Sequence, residues 1–189
     1  MRNLIIIAAL MLAGISACGP SQEKRNDANV VYNTTLEIVE KVNFHDSAYV
    51  QCMQYLMREI QSPDLKKNKK KTKNITDSIA LLDGFSDSLI ASIAAAEKDI
   101  QSLRADKPNF DLFDSADSLL NKYNTIAHDI YPDINSRMNE ISLPVKDAEY
   151  TSLLRLSYRA DSVLNAAINN FNTESAAFYE KYGLKEFRK

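Results

Sequence analysis

Apolar residues in this chain recur at alternating steps of three and four, the spacing that keeps a row on one face of a helix. The clearest row is Ile75, Ile79, Leu82, Ser86, Leu89, Ile93, Ala96, Ile100 and Leu103, with Ser86 as its polar member. Another runs Phe113, Ala116, Leu120, Tyr123, Ala127, Ile130 and Ile134, with Met138 and Ile141 beyond. The last runs Leu153, Leu156, Ala160, Leu164, Ala167, Phe171, Phe178 and Tyr182. The N-terminal segment is less regular. Val39, Val42, Tyr49, Met53, Leu56 and Ile60 fit, but Asp46 stands in the row between Val42 and Tyr49. A carboxylate there predicts a bent or loosened helix over 43–47.

Prolines punctuate these rows: Pro63 follows the first segment, Pro108 opens the third and Pro144 opens the fourth. Asn74, with Asp77 three residues on, reads as an N-terminal cap pair. Gly183 followed by Leu184 reads as a helix C-cap with its apolar contact. Pro132 lies inside the third row and predicts a kink near Asp129 to Tyr131. The expected helices are 30–62, 74–105, 109–142 and 145–182, each about 50 Å long. Short links make consecutive helices antiparallel neighbours. The expected fold is therefore all-α, an antiparallel up-down-up-down four-helix bundle occupying 30–189. Two long hairpins forming an elongated coiled coil or a dimer fit the same pattern.

Composition agrees with this class. Four glycines and five prolines are too few for a β-protein with many tight turns, and 45% hydrophobic residues are enough to build a core. The first residues follow a different logic. Arg2 and an apolar run from Leu4 to Ala13 look like a secretory leader, too short to span a bilayer comfortably. Ile15-Ser16-Ala17-Cys18 resembles the lipobox of bacterial lipoproteins: an aliphatic residue, two small residues, then Cys. The resemblance implies removal of 1–17 and acylation of Cys18, which would anchor the chain without a transmembrane helix. Residues 18–29 then read as the lipidated Cys and a flexible polar tether. The lipoprotein resemblance also bears on sorting. Gly19 rather than Asp follows the Cys, which implies the outer membrane. No acidic run follows it, which tilts the expectation toward the periplasmic side over the cell surface. Only Cys52 remains, so no intramolecular disulfide is available.

Charge is nearly balanced, −2 overall and −3 once Arg2 leaves with the leader, which argues against a general nucleic-acid binder. The balance conceals one basic spot: Lys66, Lys67, Lys69, Lys70, Lys71 and Lys73. This cluster reads as a solvated loop at the end of the bundle away from the anchor. As a binding feature it would touch an anionic envelope polymer, an acidic protein partner or anionic lipid.

Candidate chemistry is sparse. His45 and His128 each precede an Asp, but adjacent residues on a helix point about 100° apart. Neither has an acidic residue three positions before it, as a bundle metal site requires. Cys52 follows His45 by seven residues and could share its face as a nucleophile pair, or serve as a small buried apolar residue. Phosphate loops, dinucleotide fingerprints and nucleophile elbows do not occur. Tyr150, Tyr158, Phe171, Phe178, Tyr179 and Tyr182 are core and flank residues by spacing, or the lining of a ligand pocket. No catalytic residue, metal or cofactor is expected.

One tripeptide is over-represented. Asp-Ser-apolar occurs six times, placing Ser47, Ser78, Ser88, Ser115, Ser118 and Ser162 after an Asp; composition predicts about one Asp-Ser pair by chance. The pattern resembles the acceptor motif of the general O-glycosylation system of Bacteroidota, which implies glycans on those hydroxyls. All six serines fall outside the apolar rows, which predicts that they reach solvent. Together, the lipobox, the four helices and the aromatic end at Phe178, Tyr179, Tyr182 and Gly183 resemble a loosely defined group of helical surface lipoproteins of Bacteroidota and spirochaetes. The expectation is a lipid-anchored envelope protein with a non-catalytic binding or structural role. The alternative is a carrier of a small apolar ligand held between the helices.

Overall fold

The computed structural model describes residues 20–184, with Lys66 described in its backbone alone. The leader and Cys18 lie outside the described residues. The fold is all-helical, with four helices packed together and no strand among the described residues. Helix α1 spans Gln22–Glu59 and is followed by a 3-10 turn, Pro63–Lys66. Next come α2, Lys69–Ile79, and α3, Leu82–Asp106. Helix α4, Leu112–Thr125, passes through a π-helical turn, Ile126–Ile130, into α5, Tyr131–Glu140. Helix α6, Asp147–Tyr182, completes the chain.

Four features differ from the sequence expectation. The single helix expected over 74–105 is two, α2 and α3, parted at Ala80 and Leu81. Residues 22–29 are helix rather than tether, because Ser21 Oγ accepts the Lys24 N–H at 3.2 Å and caps the first turn. Ala28 and Val31 are fully buried, and Asp27 pairs with Lys107 at 2.8 Å, so this stretch belongs to the bundle. Asn68, not Asn74, caps α2; its side chain accepts the Lys71 N–H at 3.0 Å. The lysine-rich stretch is thereby a 3-10 turn and the opening of a helix, not a loop. Finally, Asp46 does not interrupt α1. The helix is continuous and the carboxylate is buried.

The kink expected from Pro132 takes the form of the π turn. Proline offers no N–H to the carbonyl four residues back, at His128, and its ring crowds that oxygen. Widening the turn at Ile126–Ile130 lets the helix continue into α5. At the end of α6, Gly183 adopts a left-handed φ of 56°. Its N–H reaches the Glu180 carbonyl at 3.0 Å and the Leu184 N–H reaches that of Tyr179 at 3.1 Å, the Schellman pair. At the start of α6, Glu149 accepts the Lys146 N–H at 3.4 Å. Lysine has no acceptor to return, so the box is half made.

Helix α1 packs mainly on α3, and α4 mainly on α6. Every member of the row Ile75 to Ile100 is buried. Lys69–Asp106 is long and apolar enough to cross a membrane by composition, a test that a bundle's core helix also passes. At one end Tyr32 stacks on Phe178, and Phe110 packs edge-on against Phe178 and Tyr182.

Candidate functional site

A ladder of polar contacts centred on α1 crosses the bundle, buried at Asp46, Tyr49 and Asn135 and exposed at Asn43 and Asp83. Asn43, Asp46 and Tyr49 recur at three-residue spacing, so they climb one face of the helix. Tyr123 donates to Asn43 Oδ1 at 3.2 Å, and Tyr131 donates to Asp46 Oδ1 at 2.6 Å. Tyr49 donates in the opposite direction, to Asn135 Oδ1 at 2.8 Å. Asn135 Nδ2 in turn reaches Asp83 Oδ1 at 2.9 Å and Ser86 Oγ at 3.2 Å, tying α5 to α3. The Tyr49 and Tyr131 rings stack with centroids 3.7 Å apart. Buried polar groups are tolerated when paired, and each rung pairs groups on different helices.

Asp46 is 5% exposed. Burial pushes its carboxyl up to about 6; the Tyr131 hydrogen bond pulls it back down, and the nearby Asp161 carboxylate raises it further. Burial likewise holds the Tyr49, Tyr123 and Tyr131 hydroxyls well above their ordinary range, so they remain donors.

A half-open pocket of about 170 Å³ lies beside this ladder, between α1, α5 and α6. Its wall on α1 is Tyr49, Val50, Met53, Gln54 and Met57; α5 contributes Tyr131 and Ile134. Helix α6 contributes Leu154, Ser157, Tyr158 and Asp161, spaced so that one face lines the cavity, with Ala160 beside them. The wall is dominantly apolar and aromatic. The Ser157 hydroxyl is buried without a hydrogen-bond partner. Burial raises the Asp161 carboxyl, and Tyr158 stands 67% exposed at the rim.

The sequence-derived candidates are scattered around this pocket rather than gathered in it. Of the six aromatic residues on α6, Tyr158 lines it. Phe171, Phe178 and Tyr182 are core, and Tyr150 and Tyr179 are half-buried against the core. Cys52 donates its thiol to the Ser78 carbonyl at 3.6 Å, and burial pushes the thiol up, away from thiolate chemistry. His45 instead meets Phe44 edge-on. His128 is exposed on the π turn. Among the described residues no three His, Cys, Asp or Glu side chains converge as metal ligands would.

Lys71 bridges Glu59 at 2.7 Å and Ser62 at 2.8 Å, and this hydrogen bond holds the Glu59 carboxyl below its ordinary range. Lys67, Lys69, Lys70 and Lys73 are exposed, and the backbone of Lys66 closes the 3-10 turn. Of the Asp-Ser serines, Ser88, Ser118 and Ser162 are exposed, and Ser47 and Ser78 half-buried. Ser115 overturns the expectation of solvent access. It is 9% exposed with its hydroxyl unpartnered, because α4 is covered by α1, α3 and α6.

Sequence reasoning missed the ladder and the pocket. The signal for the ladder was present: Asp46 in a core row, with Tyr49 next in the same row and Tyr123 in another. A buried carboxylate needs a donor, and a buried tyrosine supplies one. Nothing in the spacing marked Ser157 and Asp161 as neighbours of Met53 and Met57.

The fold and the cavity define an all-helical protein with a small, mainly apolar pocket between helices. Compared with known proteins, the chain matches no protein family, no curated protein and no solved structure.

Proposed function

We propose that this chain is a lipid-anchored, non-catalytic binding protein of the cell envelope that holds a small, mainly apolar molecule in the pocket between α1, α5 and α6. The carrying observation is the pocket itself: about 170 Å³, walled by Tyr49, Met53, Met57, Tyr131, Ile134 and Leu154. A dry cavity of about 150 Å³ in another protein is enough to take up benzene. This one is of the right size for a ring or a short alkyl chain, and its open side gives an entry path.

The same reading makes the fold an antiparallel up-down-up-down bundle. Contacts between helix ends support it. Asp27 at the start of α1 meets Lys107 just past the end of α3, and Tyr32 near the start of α1 meets Phe178 near the end of α6. Asn43, Asp46 and Tyr49 meet Tyr123, Tyr131 and Asn135 in the same order, which supports α1 running with α4 and α5. Only residues 19–21 separate Cys18 from α1. With Cys18 acylated, the aromatic end around Phe110 and Tyr182 sits next to the membrane, and the lysine-rich end points away from it.

The test is titration of the protein with ethylbenzene, followed through the Met53 and Met57 methyl resonances. Saturable shifts at both methyls are expected. Ser157→Phe, which fills the cavity, is expected to abolish them while the thermal transition is retained. Methyls that do not respond at saturating hydrocarbon would sink the proposal.

A further inference from the structure

We infer that the pocket selects a small organic cation: a protonated amine carried on an aromatic or short alkyl body. The inference rests on the pocket being a binding site. It adds which chemistry the pocket accepts.

The argument begins with the polar atoms that remain for a ligand. The Tyr49 and Tyr131 hydroxyl protons are committed to Asn135 and Asp46. What remains in the wall is the buried, unpartnered Ser157 hydroxyl, with the Asp161 carboxylate, Gln54 and Tyr158 at the exposed margin. A carboxylate only accepts hydrogen bonds, and a hydroxyl without a partner accepts as readily as it donates. An ammonium group offers up to three donors to this pair.

Charge points the same way. Ion pairs among the described residues all lie elsewhere, so no lysine, arginine or histidine neutralises Asp161 or Asp46. Arg155 and Arg159, on the same helix, are exposed and line no part of the cavity. The two carboxylates repel each other, and burial raises both. An anion entering here would add to that repulsion. A neutral molecule would cover Asp161 without compensating its lost hydration. A cation relieves both costs.

The aromatic wall completes the match. Tyr49, Tyr131 and Tyr158 border the cavity, and aromatic faces attract cations within about 6 Å. Met53, Met57, Ile134 and Leu154 cover the apolar body. The head group sits on Asp161 and Ser157, and the body enters toward Met53.

The experiment compares protonated 2-phenylethylamine with ethylbenzene, a neutral mimic of its shape, by titration at the Met53 and Met57 methyls. The amine is expected to bind roughly tenfold or more tightly. Asp161→Asn is expected to remove that preference while leaving ethylbenzene binding intact. Asp161 lies on an exposed face, and a cooperative thermal transition confirms that the variant folds. Equal affinity for the two probes, or a preference that survives Asp161→Asn, overturns the cation inference and leaves the pocket standing. No response to either probe overturns both.

Discussion

Asp46 has what raises a carboxyl toward neutrality: an interior position, another carboxylate nearby and no cation, opposed by one tyrosine donor. Its carboxyl titrates near 6 in the folded chain, against about 4 when unfolded. Between those values the native state binds the extra proton, so stability falls as pH rises through that window and levels off above it. A shift of two units corresponds to about 3 kcal/mol. Asp161 is raised as well and adds to the slope in the same direction. Asp46→Asn keeps an acceptor for Tyr131 and cannot ionise. We expect it to remove most of the loss between pH 4 and 6 and to be more stable than the parent at pH 7. Urea unfolding of both proteins across that range would show it, and parallel pH profiles would refute it. The sequence displayed this residue as a flaw in an apolar row. Only the position of Tyr131, 85 residues away, turns the flaw into a rung.

At the scale of the element, local signals were read well where the backbone itself was the cause. Gly183 is such a case. Its φ of 56° is left-handed, and nothing lies within 4 Å of where a Cβ would stand. Gly183→Ala therefore meets only the backbone strain, about 1 kcal/mol. The expected result is a lower denaturation midpoint with an unchanged slope, and an unshifted midpoint would rule out the strain. Pro132 was also legible, because a missing N–H disturbs any helix. The relief it takes, a wide turn at Ile126–Ile130 rather than a sharp bend, depends on Tyr131 and Ile134 remaining buried afterwards. The start of α1 was misread. Gln22 to Asn29 is polar in composition, and its helix is secured by one capping serine, an ion pair to Lys107 and the burial of Ala28. Two of those three lie beyond the segment's own sequence.

For the whole molecule, the anchor and the Asp-Ser sites make one joint prediction. Peptide-resolved mass spectrometry of protein from native membranes is expected to find acyl chains on Cys18. Glycans are expected on Ser88, Ser118 or Ser162, which are exposed, and none on Ser115, which is buried. Ser115 and Ser118 share a motif and differ in burial. A glycan on Ser115 would mean that modification precedes folding or that α4 is covered differently. Bare serines throughout would remove the glycosylation reading, and an uncleaved N-terminus would remove the anchor. The lysine-rich stretch changes meaning at this scale too. As part of a turn and a helix opening, with Lys71 tied to Glu59 and Ser62, it holds the end of α1 to α2.

By itself the sequence determined the helical class and which rows are buried. Apolar periodicity, prolines and one glycine act within a few residues, and every row member between Ile75 and Ile100 is buried as the spacing requires. Tertiary structure alone decided the ladder, the pocket and the accessibility of the serines. These depend on which faces of separate helices meet, and a residue's spacing within its own helix carries no record of what will stand opposite it. Ser157 and Asp161 became a candidate site only when α6 laid them beside Met53, Met57 and Tyr131.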